Sequence, residues 1–472
     1  MDYKKIGFKC GIEAHQQLST NKLFCNCPSI VKDEDKEKPD FEFERRLRVS
    51  AGESGKTDIA ALTEQAKGKE FVYQGYNDCT CLVELDEEPP HEVNKEALET
   101  AMKVALLLKC KPVDEIQFMR KIVVDGSNVS GFQRTALIAT NGFIETSLGK
   151  VNIPTICLEE EAAKVVKRSE KQDTYNISRL GIPLIEIATD ASIKSPEHAK
   201  EAASKIGMIL RSVKGVKRGI GSIRQDVNLS VKNTPRVEIK GFQEIDSMPD
   251  VIKKEAERRL KIIESGKIPE HEVRKAEKDN STTFLRPMPG ADRMYPETDV
   301  PSFKIDVSKL ELPELLSDKA EKIEDLGLGK DLAEALAKSG KADLLTEFIS
   351  RFKNLKPAFI AEIMLVTPKI MRRKYSLEIN PTDHDFQVLF ETLNEGKISK
   401  DNIEDIFKEQ KPVKDIIIKY HSMSDKDLES QIKKIVSDNK DLQFNALIGK
   451  VMSVLRGKAD SKKIIEMLNK LK

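Results

Sequence analysis

The hydrophobic pattern changes its period once along the chain, and this change constrains the fold more than any other feature. Up to about residue 300, polar and apolar side chains alternate in short segments, as in strands with one face against a core. From Leu310 onward, apolar side chains recur every three or four residues, as in amphipathic helices. Because 472 residues exceed one hydrophobic core, we predict roughly two to four domains.

The composition excludes several classes of protein. Hydrophobic residues make up 39% of the chain and charged residues 33%, which provides several cores beneath an ionic surface and excludes a disordered chain. No apolar run reaches the roughly 20 residues that span a bilayer, and the start, MDYKKIGFKCG, lacks the apolar stretch of a signal peptide. We therefore expect a cytoplasmic protein with no membrane contact.

Two helices in the first part are marked by caps that agree with their apolar spacing. Asn94 precedes one helix, and the pair Ser195-Pro196 starts another. Each helix has one apolar face. Both are expected to pack on a sheet.

The net charge of +1 hides a local basic patch. Lys and Arg (79) nearly balance Asp and Glu (78), so any contact with nucleic acid must be local. From Asn445 to Lys472 there are seven basic residues and two acidic ones, a balance of +5. This stretch is a candidate nucleic-acid surface, and the alternative is an ordinary solvated face.

Four of the seven cysteines form two close pairs, Cys25 with Cys27 and Cys79 with Cys81. Two thiolate pairs can supply the tetrahedral ligands of zinc, and a closed four-thiolate site has a structural role. The alternative is four buried, unreactive cysteines, because C-x-C is less specific than C-x2-C. The remaining three are expected in the core: Cys10, Cys110 and Cys157.

The segment RLRVSAGESGKTDIAAL partly matches a phosphate-binding P-loop. Gly55, Lys56 and Thr57 fit the motif, but Ser50 replaces its first glycine and arginines interrupt the preceding strand. An ordinary turn and helix start is favoured. A P-loop ATPase that uses Lys56 is the alternative function.

Polar residues alternate along three predicted strands in a way that gathers charge on one face. Period two places Glu13 and His15 together in the segment 11–18. The segments 224–231 and 236–240, joined by a four-residue turn, form a hairpin with one charged face. That face carries Arg224, Asp226, Asn228, Ser230, Arg236, Glu238 and Lys240.

Two further segments place carboxylates beside apolar runs: ICLEEE, ending at Glu161, and PLIEI, which contains Glu186. A carboxylate among aliphatic residues is rarely buried without a partner. A solvent-exposed sheet face would be enough to explain any one of these acids taken singly. Taken together with His15, they favour a cation cluster, and oxygen ligands with one imidazole suit Mg²⁺ or Mn²⁺ better than zinc.

These same segments resemble the GatB/GatE family of tRNA-dependent amidotransferase subunits over nearly the whole chain. HQQL, LDEEPPHE and GSNVSGFQRT are more similar to the archaeal GatE type than to the bacterial GatB type. The other segments that carry the resemblance are KLFCNCP, ICLEEEAAK, RLGIPLIEIATD, GSIRQDVNLSV, RVEIKGFQEI and RPMPGADRMYPETDVP.

The resemblance implies an α+β fold with three domains. A cradle domain with a mixed or antiparallel sheet would hold ATP and Mg²⁺ over 1–300. An all-helical domain would follow over 301–397, and a small helical tail domain over 398–472 would bind tRNA. The tail segment GKVMSVLRGKAD is similar to the family's tRNA-binding region.

The resemblance also assigns residues to the site. The family's metal and ATP site falls on Glu13, His15, Glu160, Asp226 and Glu238, with Lys240 as a further catalytic residue. Residues in neighbouring motifs, expected to contact the cofactor, are Ser130, Glu186, Arg224 and Asn228.

The implied reaction makes Gln-tRNA(Gln) from Glu-tRNA(Gln). The Glu side chain would attack the γ-phosphate of ATP, and ammonia would then displace phosphate. No amidase nucleophile is apparent, so the resemblance implies a partner that supplies ammonia, an asparaginase-like D subunit (GatD), in a heterotetramer or homodimer.

One departure from the family bears on the partner. Archaeal E subunits carry an inserted domain resembling part of aspartyl-tRNA synthetase after the region of Lys240, but here about 45 residues separate Lys240 from Arg286. A B-type subunit whose partners are the A and C subunits is therefore an alternative. A noncatalytic tRNA-binding subunit is another.

Overall fold

The computed structural model describes residues 1–49, 55, 57, 59–219, 221–242, 244–288, 294–295, 299–439, 444–455, 458–459 and 461–471. They form two compact units, 1–313 and 314–472. Strands dominate the first unit and helices make up the second, which confirms the predicted α+β class.

The first unit is built around an 11-stranded sheet with the order β14-β13-β12-β11-β1-β10-β7-β6-β5-β15, in which β4 also pairs with β6. Only the pair β12 and β13 is parallel among its described ladders. The strands are β1 (Lys9–Gln17), β4 (Lys111–Pro112), β5 (Phe118–Ile122), β6 (Phe132–Thr146), β7 (Gly149–Glu160), β10 (Pro183–Ala188), β11 (Ile223–Ser230), β12 (Val237–Lys240), β13 (Glu272–Ala276), β14 (Thr282–Pro287) and β15 (Met294–Tyr295).

A second sheet of four strands has the order β2-β3-β9-β8 and buries its own small aromatic core. Its strands are β2 (Phe41–Arg45), β3 (Glu70–Gly75), β8 (Lys164–Arg168) and β9 (Gln172–Asn176). The helices of this unit are α1 (Ile59–Ala66), α2 (Lys95–Leu107), α3 (Pro196–Ser212) and α4 (Met248–Glu264).

One face of the large sheet is covered by helices, and this leaves the other face for the polar residues. Helix α2 packs on β6 and β7, α3 packs on β1 and β6, and α4 packs on β11. The core beneath them includes Ile12, Ala14, Ile156 and Ile187, all fully or almost fully buried. The prediction that the helices capped by Asn94 and Ser195 pack on the sheet is confirmed.

The second unit is helical and contains two clusters of buried apolar residues. One extends from Ile323 to Ile417 and the other from Leu428 to Leu468. The division of this part into domains 301–397 and 398–472 stays a prediction. The helices are α5 (Leu316–Glu324), α6 (Lys330–Ser339), α7 (Ala342–Arg351), α8 (Pro357–Leu365), α9 (Thr367–Tyr375), α10 (Asp383–Asn394), α11 (Ile403–Lys408), α12 (Val413–Ile416), α13 (Asp425–Asp438), α14 (Phe444–Leu455) and α15 (Ser461–Leu471).

None of the helices within the described ranges is both long enough and apolar enough to span a membrane.

The cap of α3 provides a test of the fold. The Ser195 hydroxyl accepts a hydrogen bond of 3.1 Å from the His198 backbone N–H. Ser195→Ala should lower the free energy of local opening of α3 by about 1 kcal/mol, because a buried donor loses its acceptor. Hydrogen-exchange mass spectrometry should show the first turn of α3 exchanging roughly fivefold faster. Ser195→Asp, which keeps an acceptor, should exchange like the wild type, and equal protection in Ser195→Ala would contradict the assignment.

Candidate active site

The site is organised by β1, which lies between β10 and β11. Glu13 is directly opposite Asp226 of β11, and His15 is opposite both Glu186 of β10 and Arg224 of β11. Residues directly opposite each other in antiparallel strands point to the same face of the sheet. The register therefore places these predicted residues together on the face opposite α2, α3 and α4.

A first group of carboxylates consists of Glu13, Asp226 and Glu238, with oxygens that all lie within 4.8 Å of one another. Lys240 Nζ lies 2.6 Å from Asp226 Oδ2 and 2.5 Å from Glu238 Oε1. Asn228 Nδ2 donates to Glu13 Oε1 at 2.9 Å. One ammonium group thus offsets part of the negative charge of Asp226 and Glu238, and one amide holds Glu13 in place.

The pKa values of the first group reflect this crowding. Burial raises the pKa of Glu13, and the nearby carboxylates of Glu238 and Glu186 raise it further. Burial also raises the pKa of Glu238, but Lys240 outweighs it and holds that pKa below its usual range. Burial lowers the pKa of Lys240, and Asp226 and Glu238 reverse the effect, so Lys240 stays charged.

A second group consists of His15, Glu159 and Glu186. His15 Nε2 lies 3.4 Å from Glu186 Oε2. Lys121 Nζ is 3.2 Å from Glu159 Oε2 and 3.3 Å from Glu186 Oε2, while the Thr135 hydroxyl donates to Glu159 at 3.1 Å. This group has the same design as the first, because a lysine again lies between two acids.

Burial and charge act against each other in the second group. Burial raises the pKa of Glu186, but Lys121 and His15 together pull it below its usual range. Burial lowers the pKa of His15, but the hydrogen bond and charge of Glu186 raise it above the usual 6.5. At pH values below the raised pKa of His15, the imidazole and the carboxylate form a charged pair.

Glu160, which was assigned to the metal site, lies away from both groups. Its neighbour Glu159 is directly opposite Leu184 of β10 and shares the face of the site, so the pleat turns Glu160 the other way. There Glu160 accepts from the backbone and guanidinium of Arg134 and, with Ser130, lines a cavity of about 20 Å³, the size for one water. Glu159, and not Glu160, lies beside His15.

Sequence reasoning missed Glu159 and Lys121. The sequence contained a signal for Glu159, because side chains two residues apart in ICLEEE lie on the same face of the strand. Cys157 is directly opposite Glu186, so Glu159, two residues further on, shares the face of Glu186. Cys157 is itself half-buried on this polar face, so its expected place in the core is corrected, whereas Cys10 and Cys110 are core residues. No local pattern distinguishes Lys121 in FMRKI from a solvated lysine.

Arg224 lies at the edge of the second group and pairs with a different acid. Its Nη2 is 2.8 Å from Glu161 Oε2, and the Gln17 side chain donates to the same oxygen at 3.0 Å. Burial raises the pKa of Glu161, but Arg224 and Arg179 lower it below its usual range. This buried ion pair holds the end of β7 against β1 and β11.

Three cysteines and one glutamate form a separate group outside these strands. Cys25, Cys27 and Cys81 lie together with Glu84, and their ligand atoms are within 4.8 Å of one another. Cys79 is buried outside this group. Burial, followed by the charge of Glu84, raises the pKa of Cys27 to about 12.

The P-loop hypothesis is not tested, because Ser50 and Lys56 lie outside the described residues.

Two sequence profiles match the chain. The GatB/GatE catalytic domain matches residues 8–311, and the GatB domain matches residues 343–471. The chain belongs to the GatB/GatE family. The two matches confirm the predicted family. Together they cover the strand-rich unit and most of the helical unit.

Curated relatives extend the likeness to the full length. The chain is 35% identical to the E subunit of glutamyl-tRNA(Gln) amidotransferase from Methanococcus maripaludis, over 99% of this chain and 98% of the relative. It is also 35% identical to the E subunits of Methanocaldococcus jannaschii and Sulfurisphaera tokodaii, over 100% of this chain and 99% of each relative. All three relatives are of the E type.

The alignments also bear on the missing insert. The first spans 626 positions whereas this chain has 472 residues, so at least 154 positions of that relative have no counterpart here. This agrees with the predicted lack of an inserted domain in a subunit of the E type.

The charged pair of His15 and Glu186 can be tested by titration. In chelator-treated protein, the NMR signals of the His15 ring should titrate with a midpoint above 6.5. Glu186→Gln should lower that midpoint, because the hydrogen bond and the charge that raise the His15 pKa most are removed, while burial and the charges of Glu159 and Asp226 remain. The pair's contribution to stability should be lost as pH rises through the folded pKa of His15, and as it falls through that of Glu186.

Glu88→Gln is the matched control, because Glu88 pairs with a different histidine, His91, at 3.0 Å on the surface. This variant should leave the His15 midpoint unchanged. An unchanged midpoint in Glu186→Gln would show that the pair does not form.

Proposed function

We propose that the polar face of β1, β7, β10, β11 and β12 binds Mg²⁺ and ATP and phosphorylates the Glu side chain of Glu-tRNA(Gln). The observation that carries this is the presence of two carboxylate groups, each with its own lysine, on one sheet face. The chain is a subunit of Glu-tRNA(Gln) amidotransferase, a ligase-type enzyme, in keeping with relatives of that name along its whole length.

The donor sets suit hard cations. The first group offers only carboxylate oxygens, and the second offers two carboxylates and one imidazole, which is the chemistry that Mg²⁺ or Mn²⁺ accepts. A bound Mg²⁺ would neutralise the phosphate charge that builds up during transfer. Glu13, Asp226 and Glu238 would hold one ion, and His15, Glu159 and Glu186 another.

The residues of the chain have distinct tasks in the phosphoryl transfer. A carboxylate oxygen of the Glu side chain forms a bond to the γ-phosphorus as the bond to ADP breaks, which gives an acyl phosphate. Lys121 and Lys240 supply positive charge beside the carboxylates, where phosphate oxygens need it. Asn228 and Arg224 hold neighbouring side chains in place. Ammonia then attacks the acyl carbon and phosphate leaves.

The ammonia must come from elsewhere, and we propose an asparaginase-like D subunit as its source. The support is the E type of the curated relatives. The A and C subunits are the alternative partners. We expect the reaction to take place in the cytoplasm and the assembly to be a heterotetramer or homodimer.

A structural zinc ion at the cysteine group completes the proposal. Three thiols and a carboxylate within 4.8 Å of one another fit tetrahedral coordination, because ligand atoms about 2.0–2.3 Å from a common ion lie within that range. The zinc would stabilise the loops of residues 22–28 and 79–86.

The function is tested by the chain alone with Glu-tRNA(Gln), ATP, Mg²⁺ and free ammonia. We expect Gln-tRNA(Gln) and ADP to form. Glu159→Gln should reduce the rate by at least about 100-fold, because charge on the phosphate loses its stabilisation. The matched variant Glu160→Gln should remain far more active, since Glu160 points away from the site.

The outcomes of this experiment separate the alternatives. Loss of activity in Glu160→Gln but not in Glu159→Gln would place the site on the other side of the sheet. Full ATP-dependent amidation by both variants would show that neither acid takes part in the reaction, and no amidation by the wild-type chain would favour a noncatalytic subunit. Thermal melting of each variant controls for folding.

The tail is proposed to bind tRNA through backbone phosphates. Lys450 on α14 and Lys458 after it are both exposed. Arg456, Gly457, Asp460 and Lys472 of the predicted patch lie outside the described residues. With no aromatic residue between Asn445 and Lys472, recognition of backbone and shape is expected rather than base stacking.

Lys450→Gln and Lys458→Gln should weaken the binding of Glu-tRNA(Gln). A plot of log affinity against log salt concentration has a negative slope. For each phosphate that is no longer neutralised, the magnitude of this slope should decrease by roughly 0.7–0.9. Dissociation constants at several salt concentrations provide the measurement. Lys463→Gln is the control, because Lys463 Nζ already pairs with Asp425 at 2.6 Å. Equal losses of affinity in all three variants would mean that general charge, and not these two lysines, attracts tRNA.

A further inference from the structure

A fully buried lysine without a hydrogen-bond partner points into the cysteine group. The Lys22 side chain is 0% exposed, and no described residue accepts a hydrogen bond from its Nζ. The nearest acid is Glu84, whose Oε1 lies 3.7 Å from this Nζ. An ammonium group buried in this way is costly unless negative charge surrounds it.

The group gives Lys22 little negative charge, because Glu84 is the one carboxylate among its four residues. That carboxylate is already engaged, because Oε1 accepts from Cys25 Sγ at 2.9 Å and Oε2 accepts from the Cys81 N–H at 2.8 Å. Lys22 therefore lacks a full counter-charge in this state.

We infer that Glu84, and not Cys79, is the fourth ligand of the zinc site, and that Lys22 is the buried counter-charge of the loaded centre. The inference rests on the proposed structural zinc and deepens it. Three thiols and one carboxylate would take up Zn²⁺ and release three protons. The resulting centre carries a charge of −2, which Lys22 reduces to −1.

The local geometry supports this ligand set. Cys81 and Glu84 are three residues apart, the spacing of the second half of a zinc knuckle. The N–H bond from Cys81 occupies Glu84 Oε2, which leaves Oε1, on the side of Cys25, for the ion. The Lys22 N–H donates to Cys27 O at 2.9 Å and closes the loop that carries the other two thiols.

Gly181 leaves the space that Lys22 and Glu84 share. It has φ +83°, and a Cβ there would lie 3.4 Å from Glu84 Oε1 and 3.5 Å from Lys22 Cδ. Its carbonyl accepts from the Leu23 N–H at 2.8 Å. The RLGIPLIE segment thus supports the cysteine group at one end and carries Glu186 at the other.

Cobalt substitution in the full-length protein counts the thiolates directly. The wild type should bind one Co²⁺ per chain, with a thiolate-to-cobalt charge-transfer band of three-thiolate intensity. Cys79→Ser should leave the band unchanged, and Cys81→Ser should reduce it to about two thirds, in proportion to the ligands that remain. A four-thiolate intensity in the wild type, or a loss in Cys79→Ser equal to that in Cys81→Ser, would overturn the assignment of Glu84.

Zinc affinity, measured by competition with a chromophoric chelator, tests the two charged residues. Glu84→Gln keeps the shape and the acceptor for Cys81 but should bind zinc at least about tenfold more weakly. Lys22→Met should also weaken binding by about tenfold, while Lys9→Met, an exposed lysine, should not. Unchanged affinity in Glu84→Gln or Lys22→Met would overturn the role of that residue.

Failure of the zinc proposal itself would look different. A wild type that is free of zinc after purification without chelators, and that binds no Co²⁺, would remove the metal altogether. This test uses only the wild-type protein, so its result does not depend on whether any variant folds.

Discussion

The register of β1 against β10 and β11 is the constraint on which the rest of the structure depends. Side chains on a strand alternate between the two faces, so Ile12 and Ala14 enter the core while Glu13 and His15 face the opposite side. A slip of one residue would expose the first pair and bury the second. The packing of α3 and α4 on the apolar face therefore also fixes which acids meet on the polar face. Stability and site geometry follow from the same register.

The polar face is stable because each group of acids has its own cation. Five carboxylates and one histidine lie on adjacent strands, and like charges at such distances repel strongly in a partly buried site. Lys240 and Lys121 each bridge two of these acids. The lysines thus stabilise the fold before any ligand binds. They also supply the positive charge that a phosphate chemistry requires at the same positions.

Much of this arrangement could be predicted from the sequence, and the residues that could not share a physical reason. Glu13, His15, Asp226 and Glu238 follow from alternation, because their strands have one apolar face. Glu159 and Glu160 stand in a run of three acids, where only the pairing with β10 decides which one faces the site. Lys121 contacts Glu186, which is 65 residues away in sequence, and Glu84 contacts Cys25, which is 59 residues away. No local pattern encodes these long-range contacts. Motif resemblance identified the segments, and tertiary pairing selected the side chains within them.

The same reasoning applies to the part of the sheet that follows Lys240. After Lys240 the sheet must still be extended, and the parallel strand β13 requires a crossover, which α4 supplies in 17 residues. Glu255 on α4 and Glu272 on β13 are buried. Arg258 and Arg274 each form ion pairs with both of these acids. This network fixes the helix to the edge of the sheet beside β12, the strand that carries Glu238 and Lys240. Residues of this chain thus close that side of the sheet, and both carboxylate groups form from its own side chains.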